Sequence, residues 1–359
     1  MLDGIRVIEV ANYMSGPFAG AMLADLGAEV IKVEPPGGDP YRKFGRATTA
    51  VSPLWAAINR GKSSVVIDLK ADPQPLLDLV VEADVFLSNW RPDVAERLGV
   101  GDEVLTDANP RLVRCWISGV GPTGPLANDP AFDTVAQGRA GTPDAIATGG
   151  DLRFMPGYPV DKTTAMFATQ AILAALLARH RTGAGDRLDV ALLDAIAYSN
   201  MADLLPNRVF LDHEPVEARY AGATAQVPLP ASDGGIAVST VTGKQVKSAC
   251  AAVGHPEFAA EIFAEPTPDA VLRTLTRLFS PIMGEKPMAH WLEQFRIHDV
   301  PAGPCLTIDE HLVDEQVAHN RLYAIEDWPE VGRVRTVRHP AVSKTYGDLR
   351  AGPAPVVLS

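Results

Sequence analysis

Asp161 is the residue best placed to do chemistry in this sequence. It stands alone between Met155-Pro156-Gly157-Tyr158-Pro159-Val160 and an apolar run from Thr163 to Ala178. That run reads as a buried helix. A carboxylate at the mouth of such a helix is either a cap or a reagent. Asp is a preferred N-cap, worth about 1 kcal/mol over Ala, and the local sequence favours the cap. The two roles are compatible. A helix N-terminus stabilises the ionised form, which keeps a carboxylate available as a nucleophile.

Other candidates lie at strand ends. The first strand-to-helix junction is Ala11-Asn12-Tyr13-Met14-Ser15-Gly16-Pro17-Phe18-Ala19-Gly20. In open parallel sheets ligands bind beyond the carboxyl ends of strands, and a helix N-terminus there offers N–H groups to phosphate. Glu34 ends the next strand, where dinucleotide enzymes place a ribose-binding acid. Only Gly16 and Gly20 remain of a GxGxxG fingerprint, which disfavours simple NAD binding. Asn89-Trp90-Arg91-Pro92 combines an amide, an aromatic face and a guanidinium, groups that suit an adenine nucleotide. Arg60, Lys62 and Lys70 flank one strand, and Arg91 and Arg97 follow another. The plain alternative is solvated surface charge beside a partly buried Trp. Ser118-Gly119-Val120-Gly121-Pro122-Thr123-Gly124-Pro125 either admits a ligand to its backbone or is a rigid connection. The histidines form no HExxH, and Ser15, Ser118 and Ser239 lie in no GxSxG elbow, so hydrolase chemistry is unsupported.

The elements that would position these residues alternate. Strands are expected at Arg6–Val10, Glu29–Val33, Ser64–Ile67, Asp84–Ser88 and Leu112–Ile117, with helices at 17–26, 75–82 and 162–181. That alternation predicts an α/β fold, a mostly parallel sheet with helices on its faces. A hairpin turn near Ala231–Gly235 and helical stretches near 244–253 and 269–279 predict a smaller α+β domain. Over 359 residues, 47% hydrophobic, two domains are expected: 1–195, with 320–359 returning to it, and 225–319, joined by a linker at 196–224. A net charge of -12 argues against nucleic acid or an anionic membrane as partner. Cys115, Cys250 and Cys305 are dispersed and indicate neither disulfides nor a metal site. The start, Met1-Leu2-Asp3-Gly4, has no signal-peptide pattern. A cytoplasmic, reduced protein is expected.

Taken together, these pieces resemble the class III CoA-transferase (CaiB/BaiF) family. The resemblance is carried by Asp25 to Asp39, Asn59-Arg60-Gly61-Lys62-Ser63-Ser64, Asp84 to Asn89, Asn109-Pro110-Arg111-Leu112 and Ser118 to Pro125. It continues through Phe132-Asp133-Thr134-Val135-Ala136-Gln137, Asp161-Lys162-Thr163-Thr164, Arg181-Thr182-Gly183 and Val300-Pro301-Ala302-Gly303-Pro304. Each piece alone is weak, but their order and spacing are specific.

The resemblance implies a Rossmann-like large domain, a small domain and an interlocked homodimer. It implies acyl-CoA and a carboxylic acid acceptor as substrates, with coenzyme A entering as a thioester and no permanent cofactor or metal. Asp161 falls on the family's nucleophile position, and its product would be an aspartyl-CoA thioester. Asn89, Trp90, Arg97 and Leu98 fall along the CoA site, Ile67 and Lys70 near its adenine end, and Phe132 at an active-site lining position. Met14 replaces a family glutamine, Pro35 a basic residue, and Ser239-Thr240-Val241-Thr242-Gly243 is not the glycine-rich lid of the formyl-CoA/oxalate type. The family also holds α-methylacyl-CoA racemases, which use a histidine and a further acid; those positions are Phe132 and Thr242 here. Transferase is therefore the leading expectation. A racemase or epimerase, and a non-catalytic acyl-CoA-binding protein with Asp161 as a mere cap, are the alternatives.

Overall fold

The computed structural model describes residues 1–45, 49–147, 151–201, 209–213 and 227–356. The chain forms two compact units. One comprises Met1–Pro143, Phe154–Asn200 and His319–Ser359, the other Asp144–Arg153 and Met201–Ala318.

The first unit is built on six parallel strands: β1 (Arg6–Val10), β2 (Glu29–Glu34), β3 (Lys62–Val66), β4 (Val85–Ser88), β5 (Val113–Ser118) and β6 (Asp186–Ala191). Their order is β3-β2-β1-β4-β5-β6, with Ile8 in register with Ile31 on one side and Phe86 on the other. This is the doubly wound Rossmann order, in which the winding reverses between β1 and β4. The expected α/β class and central parallel sheet are therefore present. The connecting helices are α1 (Ser15–Asp25), α2 (Pro53–Ile58), α3 (Gln74–Val81), α4 (Pro92–Arg97), α5 (Asp102–Ala108), α6 (Asp133–Arg139), α7 (Thr142–Ala145), α8 (Pro159–Thr182) and α9 (Leu192–Ser199).

Strand side chains alternate between faces, and the core divides accordingly. Val7, Val85, Leu87, Val113 and Cys115 pack with Leu23 of α1 and with Ala165, Ala168 and Ile172 of α8. Ile8, Phe86 and Trp116 pack on the other face with Leu76 and Val80 of α3 and Leu105 of α5. β4 is buried along its whole length, as a central strand covered on both faces must be.

Charge is buried beside this core. Glu9 accepts from Lys32 at 3.0 Å and forms an ion pair with Lys62 at 2.7 Å, and Lys32 also pairs with Asp39 at 3.1 Å; all four side chains are buried. Gly20 makes the space, because a Cβ there would overlap the Glu9 carboxylate. The C-terminal segment is held to the same unit. Arg42 Nη1 donates to the carbonyls of Pro355 and Val356, and Trp55 Nε1 donates to Pro355.

The second unit carries a three-stranded antiparallel sheet, Leu229–Ala231, Gly234–Val238 and Ala302–Pro304. Helices Gly243–Ala252, Phe258–Phe263, Pro268–Met283 and Met288–Ile297 cover it, with Ile236, Ile262, Phe279, Trp291 and Phe295 in its core. Of the expected linker at 196–224, residues 196–199 belong to α9, while 202–208 and 214–224 lie outside the described residues.

Candidate active site

Two confluent cavities open at the switch point, both within the first unit. The first, about 400 Å³, is lined by Glu34, Pro35, Ile67, Lys70, Trp90 and Leu98 among others. The second, about 550 Å³, holds Asp161 together with Tyr13, Asn89, Phe132, Asp133 and Tyr158. Asn12, Trp90 and Val94 line both. The arrangement is a cleft that crosses the carboxyl ends of β1, β2 and β4, where open α/β sheets bind ligands.

Asp161 is not the cap of its helix. Tyr158 is the N-cap residue, at φ 44, and makes no side-chain capping bond. Asp161 is the third helical residue, and the orphan donors of this turn are satisfied from outside. Asp133 Oδ2 accepts from the N–H groups of Val160 at 2.8 Å and Asp161 at 3.1 Å. Gln137 Nε2 donates to Asp133 at 2.6 Å and also clasps the backbone of Met155. The cap favoured by the local sequence is thus supplied by α6, and the Asp161 carboxyl is released to face the cleft. The sequence signal for this was Phe132-Asp133 and Gln137 within one family motif, but their partner lies more than a dozen residues away.

The environment of Asp161 is unusual for a carboxylate. Burial raises its pKa first and the Asp133 carboxylate adds to this, while the Ser15 hydroxyl, hydrogen-bonded to it, opposes both; the result is a pKa of about 7. A carboxylate so placed is a stronger base and nucleophile than a solvated one.

Around it stands an aromatic wall, of which only Phe132 carries a signal in the sequence. Tyr13 meets Tyr41 edge-on at 5.5 Å and Phe132 at 5.4 Å, and Tyr41 meets Phe44 at 4.7 Å. Tyr41 is buried and hydrogen-bonds Tyr158; burial and the nearby Tyr158 and Asp161 push its phenol well above the ordinary range. Tyr13 (φ 62) and Tyr158 (φ 44) are both left-handed. Such backbone costs on the order of 1–3 kcal/mol and clusters at functional sites.

The other expected residues are distributed as follows. Ile67, Lys70, Leu98 and Trp90 line the first cavity. Asn89 splints two loops: its Oδ1 accepts from Asn12 N at 3.0 Å and its Nδ2 donates to Asn12 O at 2.6 Å. Phe132 lines the second cavity and is exposed. Arg97 lines neither cavity; it pairs with Asp93 one helical turn away on the surface. Glu34, placed like a ribose-binding acid, is instead bound to Arg42 and Ser64 and accepts from Asp39 N. Arg60 and Lys62 are buried against Asp25 and Glu9. Of the three cations flanking β3, only Lys70 faces the cleft. Among the described residues no group of three or more His, Cys, Asp or Glu side chains is arranged to hold a metal ion. No helix among them is long and apolar enough to cross a membrane.

The profile of CoA-transferase family III matches residues 2–357. The chain belongs to CoA-transferase family III. It is 34% identical to the acetyl-CoA:oxalate CoA-transferase of Acetobacter aceti, over 86% of this chain and 81% of that one. It is 30% identical to the succinyl-CoA:glutarate CoA-transferase of Mus musculus, over 99% of this chain and 84% of that one. The crystal structure of a CaiB/BaiF family protein from Brucella suis superposes with a TM-score of 0.83 at 28% identity, covering 99% and 96% of the two chains. This family III member is accordingly a CoA-transferase, with a CoA thioester as substrate.

Proposed function

We propose that this enzyme moves CoA from an acyl-CoA to a carboxylic acid acceptor through a thioester on Asp161, working as an interlocked homodimer in the cytoplasm. One observation carries the chemistry: a buried carboxyl stands at the inner end of the switch-point cleft, relieved of capping duty by Asp133. The CoA moiety lies along the first cavity, with Ile67, Lys70, Trp90 and Leu98 as its contacts and Asn89 fixing the loops on either side. Arg97 has no direct place in that cleft and would reach CoA only after leaving Asp93.

The ionised Asp161 attacks the thioester carbonyl. A C–O bond forms, the C–S bond breaks, and CoA leaves as thiolate from a mixed anhydride. The thiolate attacks the Asp161 carbonyl, freeing the donor acid and leaving aspartyl-CoA. The acceptor carboxylate attacks this thioester and again expels thiolate. Thiolate attack on the acceptor carbonyl then yields the new acyl-CoA and restores Asp161. No net proton is taken up or lost. Splitting the exchange into covalent steps is what makes it accessible. The first N–H groups of α8 are engaged by Asp133, so oxyanion stabilisation falls to the start of α1, whose Ser15 lines the cleft.

Racemisation fits the site less well. No histidine is among the described residues lining either cavity, and one carboxyl cannot serve as base and acid on opposite faces of an α-carbon. The test is intact-protein mass spectrometry after incubation with an acyl-CoA. The wild-type enzyme is expected to gain the mass of a CoA adduct, and Asp161→Ala to gain none and lose transfer by at least about 10³-fold, as for a lost nucleophile. Full transfer activity in Asp161→Ala would sink this reading.

A further inference from the structure

We propose that Gln137 is a positioning residue for transfer at Asp161: it holds Asp133 as the fixed anion of a carboxyl pair, so that Asp161 is the member free to change charge. This rests on the transferase reading above and adds to it the control of that site.

The pair is unequal in its donors. Asp133 and Asp161 are both buried, and Asp133 Oδ2 stands 3.1 Å from the backbone nitrogen of Asp161. Two carboxylates that share a buried site do not both ionise readily, and the one with more donors keeps the charge. Asp133 accepts three N–H bonds, from Val160 and Asp161 at Oδ2 and from Gln137 at Oδ1. Asp161 accepts from the Ser15 hydroxyl. Gln137 is fully buried one turn after Asp133 in α6. An amide presents donors on one side and an acceptor on the other, and the Met155 backbone decides which way this one faces. Its Oε1 accepts from Met155 N at 2.8 Å, while its Nε2 donates to Met155 O at 3.2 Å and to Asp133 at 2.6 Å. Reversing the amide would set Oε1 against two oxygens and Nε2 against an N–H. The segment that leads into α8 therefore locks a donor onto Asp133.

Other titratable groups line the same cavity: Tyr13 from the β1–α1 loop, Tyr41 from the turn at Pro40–Lys43, Tyr158 at the cap of α8 and Arg91 after β4. Arg91 is exposed and its Nη1 donates to the Asn128 carbonyl at 2.9 Å. Lys162, next to Asp161 in α8, is exposed. The groups that act on Asp161 itself are Asp133 and Ser15, on a background of burial. Transfer exchanges the Asp161 carboxylate and acyl-CoA for aspartyl-CoA and the donor carboxylate, so the charge on Asp161 leaves with the donor acid. With Asp133 held as an anion, that loss relieves repulsion and favours the thioester.

The experiment uses the full chain with 13C-labelled aspartate carboxyls, whose NMR titration reports each carboxyl separately. In the wild type the resonance that titrates at about pH 7 is expected to vanish in Asp161→Asn. In Gln137→Met, similar in length but without the donor, the ionised fraction of Asp161 at pH 5.5 is expected to rise at least about threefold, because the proton moves to Asp133. Asp133→Asn removes the fixed charge and is expected to raise that fraction as much or more. Adding Gln137→Met to Asp133→Asn is expected to change it no further. Rates of adduct formation with acetyl-CoA and succinyl-CoA, read by mass spectrometry and each divided by its own value at pH 8, are expected to follow the same order. An unmoved fraction in Gln137→Met, or a Gln137 effect that persists undiminished in the double variant, overturns the proposal. So does a neutral-range resonance that belongs to Asp133, an outcome that needs no Gln137 variant to fold. If the NMR order holds but neither thioester leaves an adduct, thioester chemistry on Asp161 fails while the control by Gln137 stands.

Discussion

The neighbours of Asp161 deny it the ordinary comforts of a carboxylate. Burial and Asp133 hold its pKa near 7 against an ordinary 3.8, with the Ser15 hydroxyl as the opposing contact. A folded-state pKa above the unfolded one stabilises the fold below the unfolded value, and that stability is lost as pH rises through about 7. Asp161→Asn keeps the shape without the charge. It is expected to match the wild type near pH 4 and to exceed it at pH 8 by on the order of 3 kcal/mol, less whatever solvent relaxation returns. Urea unfolding of both forms at the two pH values, at one protein concentration, measures this. A variant no more stable than the wild type at pH 8 would contradict the elevated pKa. The rate of adduct formation on the wild type is expected to rise with pH through the same window, since the ionised form attacks. The tension between a destabilised folded state and a reactive carboxyl is the trade common to active sites.

At the level of elements, small residues decide whether the site can be assembled. Gly20 in α1 passes over Glu9, and a Cβ there would collide with the carboxylate that joins Lys32 and Lys62. Gly138 in α6 has nothing within 4 Å of the same added atom. Both sit inside helices, where Ala is intrinsically better by about 0.5–1 kcal/mol. Gly138→Ala is therefore expected to be neutral or slightly stabilising, and Gly20→Ala to cost about 1–3 kcal/mol through overpacking against a buried ion pair. Equal effects in urea melts would show that the charged core yields freely. The same elements explain what was legible in the sequence. β1, β2 and β4 are short segments rich in Val, Ile, Leu and Phe, and they lie where the pattern placed them. β6 escapes the strand pattern, because Asp186-Arg187-Leu188-Asp189-Val190-Ala191 edges the sheet and carries charge. Helices α4, α5 and α6 have six or seven residues each, too short for a 3.6-residue period to emerge. Asp161 could be singled out from its own neighbours. The aromatic wall could not, since its rings come from the β1–α1 loop, the turn at Pro40–Lys43, the start of α6 and the cap of α8. Only the fold brings them together.

At the scale of the whole molecule, the first unit carries an exposed apolar face. Along α8, Met166, Gln170, Leu173 and Leu177 follow a helical spacing of four, three and four, so they share one face. Met166 and Leu177 are 57% and 65% exposed, and Tyr198 of the neighbouring α9 is 77% exposed. Adjacent exposed apolar side chains of this kind mark contact surfaces, and here they lie on a helix whose other face packs into the core. A second copy of the chain is the partner that the proposed interlocked dimer requires. Interlocking has a kinetic signature that simple association lacks. Two threaded chains cannot separate while both stay folded, so subunit exchange must wait for global unfolding, which in stable domains is slow. Two differently tagged preparations are expected to sediment at about twice 38.3 kDa, to form no mixed dimer when combined under native conditions for a day, and to form mixed dimers after joint unfolding and refolding from denaturant. Leu177→Glu, which places a charge in the apolar face, is expected to lower the yield of refolded dimer without producing a stable folded monomer. Mixed dimers appearing within minutes of native mixing would rule out interlocking, and a native monomer at micromolar concentration would rule out the dimer itself.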